Sequence, residues 1–124
     1  MSKHPIVHVE ISALDREAAG QFYADLFGWH VQQMPEMNYA MFSAEEGDEG
    51  PGGGFSPVSD DNPAGTVMFY IGTDDVDASL AKAEKLGGKA LVPRTEIPGM
   101  GWFGVFSDPS GNKIGVFQSA APPS

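Results

Sequence analysis

The chain opens with an alternation of apolar and polar residues over positions 6–11, which read Ile-Val-His-Val-Glu-Ile. Because successive side chains of a strand point to opposite faces, this period of two predicts a β-strand. The apolar residues Val7, Val9 and Ile11 would then share the face toward the core. We expect His8 and Glu10 to lie together on the other face.

The spacing becomes helical after Asp15, a residue type that caps helix N-termini. Apolar residues then recur at intervals that place them on one helix face toward the core, at Ala19, Phe22, Tyr23 and Leu26. Gly28 follows, and glycine is the residue most often found in the left-handed conformation that ends helices. The pattern therefore predicts a helix between Asp15 and Gly28.

Strands and loops are predicted to complete this half of the chain. Residues 29–34 and 38–43 have the composition of two strands separated by a turn at Pro35. The segment Glu45–Gly54 is acidic and rich in glycine, which predicts a solvated loop leading into a short strand over residues 55–58. Residues 60–65 then form a linker.

The same pattern begins again beyond the linker. A strand over 66–73 precedes a cap at Asp75, and Val76, Leu80, Ala83 and Leu86 follow at helical spacing. A constant offset of sixty residues pairs Asp15 with Asp75 and Gly28 with Gly88. Strands over 89–92, 102–106 and 113–118 are predicted to end this half.

These elements predict an α+β fold in which one domain spans residues 1–124. It would contain two tandem βαβββ modules, over residues 6–59 and 66–118, with the helices on the outside. The curved sheets of the two modules are expected to enclose a cleft or partial barrel.

Composition excludes several classes of partner. The 124 residues include 17 acidic and 7 basic side chains, and the net charge of -10 repels nucleic acid and anionic membrane surfaces. The absence of cysteine excludes disulfides and thiolate metal sites. Without a signal-like or membrane-spanning apolar run, we expect a cytoplasmic protein whose partner is a small molecule. Sheet edges that need protection lead us to expect a homodimer.

Several short motifs, taken in order, resemble the vicinal oxygen chelate superfamily, which includes glyoxalase I, bleomycin-resistance proteins and extradiol dioxygenases. The motifs are His-Val-Glu-Ile at 8–11, Leu-Phe-Gly-Trp at 26–29, Gly-Gly-Gly-Phe at 52–55, Asp-Asp-Val-Asp at 74–77 and Asp-Pro-Ser-Gly-Asn at 108–112. This resemblance is closest to a single-domain, glyoxalase-related branch. The resemblance implies paired βαβββ modules strongly, but it implies only weakly which reaction, if any, the protein catalyses.

The resemblance also implies metal ligands at four strand positions, one of which is a histidine on the first strand. In this sequence the four positions are His8, the neighbourhood of Gly53 and Gly54, Met68, and Gly115. Glycine has no side chain and methionine offers only a soft thioether, so three positions cannot hold a hard divalent cation. We therefore expect no cofactor. The alternative is Zn, Ni, Fe or Mn bound by His8 in a nonstandard shell.

Strand parity predicts which side chains face the cleft beside His8 and Glu10. They are Met68, Tyr70, Trp102 and Phe117, with Gly115 enlarging the cleft. Residues 94–101 are rich in turn formers and predict a loop over the mouth, from which Arg94 would hold a ligand carboxylate. The alternatives are a surface arginine that meets a nearby acid, and a narrow barrel filled by its own side chains.

Two functions remain open, and a third is less specific. The first is a metal-free protein that binds a small apolar or aromatic molecule, in the manner of bleomycin-resistance proteins. The second is a glyoxalase-type lyase, isomerase or dioxygenase in which His8 and Glu10 are catalytic and His8 helps to bind a metal. In the third, a folded dimer surface serves structure or interaction. Without metal, His8 is either a hydrogen-bonded packing residue or a donor or general base.

Overall fold

The computed structural model describes residues 4–44 and 52–120, over which the chain has the predicted α+β fold. Its elements are β1 (Ile6–Ala13), α1 (Arg16–Phe27), β2 (His30–Met34), a 3₁₀ turn (Pro35–Met37), β3 (Tyr39–Ser43), β4 (Gly52–Pro57), β5 (Val67–Gly72), α2 (Val76–Lys85), β6 (Lys89–Ile97), β7 (Gly101–Ser107) and β8 (Lys113–Ser119). Contacts divide the chain into two compact units. The N-terminal unit is His8–Met68, and the C-terminal unit is the chain from Phe69 onward together with the residues before His8. The module bounds 6–59 and 66–118 remain a prediction.

The N-terminal unit has a four-stranded mixed sheet in the order β2-β3-β4-β1. Strands β1 and β4 are parallel, and the other neighbouring pairs are antiparallel. One face of this sheet packs against α1 through an aromatic core, in which the ring centroids of Trp29 and Phe42 are 4.7 Å apart and those of Phe42 and Phe55 are 4.9 Å apart. Because this core occupies one face of the sheet, polar side chains of β1 are confined to the other.

The C-terminal unit repeats the order of elements and of strands, with a sheet in the order β5-β8-β7-β6. Strands β5 and β8 are parallel, and the remaining pairs are antiparallel. Helix α2 packs on one face through Val76, Leu80 and Val116. Each unit therefore has the predicted βαβββ order.

Both helices begin at the predicted caps. The Asp15 carboxylate accepts hydrogen bonds from the amides of Glu17 and Ala18 at 3.0 and 3.1 Å, and the Asp75 carboxylate accepts one from the Ala78 amide at 3.0 Å. Gly28 ends α1 with φ 75°, as predicted.

The second helix ends at Lys85, two residues before the position that the sixty-residue offset predicts from Phe27, the last residue of α1. Gly87, with φ 103°, adopts the left-handed conformation in place of Gly88. The Gly88 amide instead donates to the Ala83 carbonyl at 2.8 Å, which satisfies one carbonyl of the last helical turn.

The apolar residues of α1 are not all on its buried face. Gly20 is buried and Tyr23 packs on the core, but Phe22 and Leu26 are 58% and 56% exposed, contrary to the prediction. The reason is the close approach of β2, because a Cβ on Gly20 would lie 2.8 Å from Cγ1 of Val31. Leu86, predicted on the apolar side of the second helix, is 70% exposed.

The glycines 52–54, predicted to end a loop, instead form the first half of β4. They pair with β1, so that His8 is opposite Gly52 and Glu10 is opposite Gly54. A Cβ on Gly53 would overlap the Phe42 ring, so the strand needs glycine here to allow close approach. The rest of the predicted loop, residues 45–51, lies outside the described residues.

The predicted loop over residues 94–101 is shorter in the structure, where only residues 98–100 form a turn. Its first part continues β6, where Thr95 pairs with Phe103 and Ile97 with Gly101 on β7. A tight turn closes this hairpin, with the Met100 amide donating to the Ile97 carbonyl at 2.9 Å. Strand pairing thus extends through a segment whose composition favours turns.

Neither helix in the described parts of the chain is long and apolar enough to cross a membrane.

Candidate functional site

His8 and Glu10 lie on the face of the N-terminal sheet opposite α1, as the alternation of β1 predicts. Ile11 and Ala13 pack in the core on the helix side, whereas the side chains of His8 and Glu10 are 25% and 22% exposed. His8 Nε2 is 3.2 Å from Glu10 Oε2. The two side chains therefore share a partly buried polar position on the face of the sheet opposite α1.

Tyr39 joins them, and the three side chains form a hydrogen-bonded triangle. The Tyr39 hydroxyl donates to Glu10 Oε2 at 2.8 Å, and its oxygen lies 2.8 Å from His8 Nε2. The imidazole and phenol rings are close to parallel, with an interplanar angle of 15° and centroids 6.5 Å apart. We call His8, Glu10 and Tyr39 the polar triad.

A short turn and a glycine bring Tyr39 into this position. Asn38 has φ 51°, a left-handed conformation that asparagine tolerates, and it ends the 3₁₀ turn so that Tyr39 becomes the first residue of β3. Across the sheet, a Cβ on Gly54 would overlap the Tyr39 hydroxyl and ring. Glycine at position 54 is therefore what lets the phenol reach Glu10 and His8.

The C-terminal unit has a comparable pair. Tyr70 of β5 is opposite Gly115 of β8, and a Cβ on Gly115 would overlap the Tyr70 ring. The Tyr70 ring also makes an edge contact with Phe103, at 6.4 Å between centroids. The prediction that Gly115 enlarges a cavity is thus wrong, because the tyrosine ring fills the space over the glycine.

These observations test whether the residues fit the divalent metal that the family resemblance implies. Two of the four implied ligand positions are glycines covered by tyrosine rings, Gly54 and Gly115, and a third is Met68. Within residues 4–44 and 52–120, no group of three or more His, Asp or Glu side chains is arranged to hold a metal ion. A hard divalent cation needs several oxygen or imidazole ligands, and the residues present do not fit it.

Comparison with known proteins decides the family. Residues 8–117 match the family described as glyoxalase-like domain. A glyoxylase-like domain-containing protein of Didymella fabae is 34% identical over 110 residues, which cover 84% of this chain and 85% of that protein. The chain belongs to the glyoxalase-like domain family. The predicted resemblance is therefore confirmed.

One further relative and one solved structure are similar to this glyoxalase-like chain. The anthracycline biosynthesis protein DnrV of Streptomyces peucetius is 25% identical over 123 residues, covering 88% of this chain but 45% of DnrV. The chain thus spans about half the length of that relative. A structure of Streptomyces coelicolor methylmalonyl-CoA epimerase in complex with 2-nitronate-propionyl-CoA has a TM-score of 0.70 at 24% identity and covers 99% of both chains, which shows a shared fold.

The structure does not bring all the predicted ligand-binding residues of this glyoxalase-like protein together. Trp102 packs against the core beneath α2, opposite the face that holds Tyr70, so the prediction that it faces the same side as Tyr70 is wrong. Its register explains this placement: Trp102 pairs with Gln118, whose side chain accepts a hydrogen bond from the Val76 amide on the helix side.

Arg94 lies with Trp102 on the helix side. Its guanidinium carbon is 4.7 Å from the centroid of the indole ring, and Nη1 is 3.5 Å from Asp77 Oδ2. Together with Glu96 these residues line a shallow surface groove of about 350 Å³. The structure agrees with the alternative interpretation of Arg94, in which it is a surface arginine that meets an acid. The structure does not agree with the prediction that Arg94 lies over a ligand cleft.

Phe117 and Met68 keep the faces that parity predicts. Phe117 pairs with Phe103 on the face that holds Tyr70, and Met68 is two residues before Tyr70 on β5, so alternation gives both side chains the same direction. Whether Met68, Tyr70, Gly115 or Phe117 contacts a ligand remains a prediction.

Sequence reasoning missed Tyr39. The available signal was the alternation of β3, which sends Ala40 and Phe42 into the core and Tyr39 and Met41 to the face of His8. Nothing in the sequence shows that Tyr39 meets a glycine across the sheet, because that contact depends on the register between β3 and β4.

Proposed function

We propose that this glyoxalase-like protein binds a small apolar or aromatic molecule at the polar triad, without a resident divalent metal. The observation that carries the proposal is the Tyr39 hydroxyl, which occupies the space of a side chain at position 54 and hydrogen-bonds both His8 and Glu10. A position implied for a metal ligand thus serves to orient a hydrogen-bonding group. Small-molecule sites typically combine such hydrogen-bonding groups with apolar side chains, and Met41 lies on the same face, opposite Gly54.

A screen of aromatic fragments by thermal shift, followed by calorimetric titration of the hits, tests binding. We expect Tyr39→Phe to weaken the hits by about fivefold to tenfold, because the phenol no longer fixes Glu10 and His8. Tyr23→Phe is the matched control: it removes the same atom from a tyrosine that packs in the aromatic core on the opposite face. Equal effects of the two variants, or no binder in the screen, would contradict the proposal.

The metal content of protein purified without an affinity metal column tests the other half of the proposal. We expect well below one Zn, Ni, Fe or Mn per chain in the wild type and in His8→Ala alike. Stoichiometric metal in the wild type that disappears in His8→Ala would overturn the proposal and favour a metal-dependent lyase, isomerase or dioxygenase.

The triad also supports a second candidate, an enzyme that transfers a proton to or from its substrate without metal. Histidine, glutamate and tyrosine are general acid and base groups, and here they are within 3.2 Å of one another. Incubation of candidate carbonyl compounds in D₂O with the wild type and with His8→Gln tests it. Exchange of substrate hydrogen that requires His8 would favour this candidate, and no exchange across the panel would exclude it for those compounds.

The homodimer remains a prediction, and we propose it for this chain as well. The exposed apolar side chains of α1, Phe22 and Leu26, are consistent with an interface. A light-scattering mass equal to one chain at micromolar concentration would contradict the dimer.

A further inference from the structure

For an ionised Glu10, the distances within the polar triad allow one arrangement of its protons. Glu10 Oε2 is 2.8 Å from the Tyr39 hydroxyl and 3.2 Å from His8 Nε2. The Tyr39 hydroxyl has one proton, which it donates to Glu10. The contact of 2.8 Å between the Tyr39 oxygen and His8 Nε2 then requires a proton on that nitrogen. Both donors therefore converge on one oxygen of an ionised carboxylate.

The reverse direction of the hydrogen bond between Tyr39 and His8 does not agree with the same distances. If Tyr39 donated to an unprotonated His8 Nε2, the oxygen and nitrogen lone pairs would both face Glu10 Oε2, at distances where carboxylates require donors. With Glu10 ionised, the observed contacts therefore make Oε2 the acceptor of both hydrogen bonds. They also hold its side chain in one orientation, so no ligand has to order it on binding.

The second oxygen of Glu10 has no such partner among the residues that the structure describes. Both contacts of the carboxylate use Oε2, and no side chain or amide within residues 4–44 and 52–120 donates to Oε1. Among the described residues, only Arg16 Nε is a fully buried side-chain polar atom without a partner, and the Glu10 side chain is 22% exposed, so Oε1 is in contact with solvent. A carboxylate oxygen accepts up to two hydrogen bonds, and here it needs them from water or from a ligand.

The charge distribution acts in the same direction. Residues 8–68 contain eleven acidic residues and one basic residue, Arg16, so the N-terminal unit carries the whole net charge of the chain. Arg16 is engaged elsewhere, donating from Nη1 to Gln33 Oε1 at 2.9 Å. The net negative charge of this unit therefore attracts cationic ligands, and at the triad a ligand meets a carboxylate oxygen to which no group in the described residues donates.

We infer that the polar triad selects apolar or aromatic ligands that carry an O–H or N–H donor, above all organic ammonium ions, and rejects carboxylates and phosphates. This inference rests on the proposed function and names its ligand class. It also predicts weak binding of phosphate-bearing ligands, in contrast to the epimerase of similar fold, whose structure contains 2-nitronate-propionyl-CoA.

Four probes with one ring system and different charges test the selection: naphthylmethylammonium, naphthylmethanol, naphthoate and methylnaphthalene. Calorimetric titration of the wild type should give the tightest binding for the ammonium, then the alcohol. We expect naphthoate to bind at least about tenfold more weakly than the ammonium, since a hydrogen bond to a charged group is lost.

Glu10→Gln measures the contribution of the carboxylate itself. We expect the preference for ammonium over naphthoate to fall about tenfold, because the amide is neutral and its nitrogen donates rather than accepts. Glu17→Gln is the control: it makes the same change of charge on α1, away from the triad. Added salt should reduce the long-range attraction in both variants and leave the difference between them.

The possible results distinguish a failure of this inference from a failure of the proposed function. Binding of naphthoate or methylnaphthalene as tight as that of the ammonium would overturn the inference and leave ligand binding intact. A loss of preference in Glu17→Gln equal to that in Glu10→Gln would show a general field and overturn the assigned contact. No binding by any of the four probes would overturn the proposed function itself.

Discussion

Gly54→Ala is the sharpest perturbation of the polar triad, because it adds one carbon atom where Tyr39 lies. The added Cβ would overlap the phenol oxygen and ring, so the tyrosine must swing away. The swing breaks its two hydrogen bonds of 2.8 Å, to Glu10 and to His8. At roughly 1–2 kcal/mol for each bond, one of them to a charged group, we expect the free energy of unfolding to fall by about 2–4 kcal/mol.

A double-mutant cycle with Tyr39→Ala isolates this contact. Once the phenol is removed, the space over residue 54 is vacant, and alanine costs less backbone entropy than glycine. Gly54→Ala should then be neutral within about 0.5 kcal/mol or slightly stabilising, which gives a coupling energy of at least about 2 kcal/mol between the two positions.

Urea unfolding followed by tryptophan fluorescence measures all four proteins of the cycle. Gly52→Ala supplies the control on the same strand and face, because its Cβ would meet the Phe42 carbonyl oxygen at 3.0 Å and not Tyr39. Its cost should be the same with and without Tyr39. Additive effects of Gly54→Ala and Tyr39→Ala would refute the contact and, with it, the reason for glycine at position 54.

Three further predictions follow from the structure. Gly115→Ala should lower the free energy of unfolding by about 1–3 kcal/mol in urea denaturation, because the Cβ would overlap Tyr70, and Tyr70→Ala should relieve most of that cost. Asp15→Ala should cost about 1 kcal/mol by removing the two capping bonds of α1, whereas Asp15→Ser should retain most of the stability. The hydrogen bond from the Asn112 side chain, with backbone amides of the same turn, holds the pKa of Asp108 below its usual 3.8. The stability that this carboxylate contributes is therefore complete above that value and is lost as the pH falls through the lowered folded pKa. Acid titrations of Asp108→Asn should lack this part of the pH dependence, and identical titrations of the two proteins would contradict the prediction.

Much of the fold could be predicted because local patterns determine it. The alternation of β1 gave the correct faces for His8 and Glu10, and the aspartate caps gave the start of both helices. Predictions of secondary structure were wrong where pairing between strands has a larger effect than the local residue composition. Glycines 52–54 are a strand because β1 pairs beside them, and residues 94–97 are a strand because β7 does.

The candidate site was harder to predict because it depends on register between strands. The sequence identifies the glycines at 54 and 115, but it does not show which side chain crosses each one. Tyr39 reaches Gly54 from β3, whereas Tyr70 reaches Gly115 from β5, so even the internal repeat does not reveal the correspondence. The prediction for Trp102 was wrong for the same reason, because the face of the sheet on which its side chain lies depends on its pairing with Gln118.

The pairs Tyr39 with Gly54 and Tyr70 with Gly115 explain why glycines occupy two positions at which the resemblance implies metal ligands. From the sequence, glycine at a ligand position suggests an emptied site with room for a larger ligand. In the structure each glycine lies under a tyrosine ring, so the glycine is a packing requirement and no added space results. Introducing a carboxylate at position 54 alone would therefore displace Tyr39 before it provided a metal ligand. Recovery of metal binding should require Tyr39→Ala and Gly54→Glu together, which would place two glutamates, at positions 10 and 54, opposite each other beside His8. Stoichiometric Zn or Ni in the double variant and not in Gly54→Glu would confirm that the phenol excludes the metal, whereas equal binding by both would show that it does not.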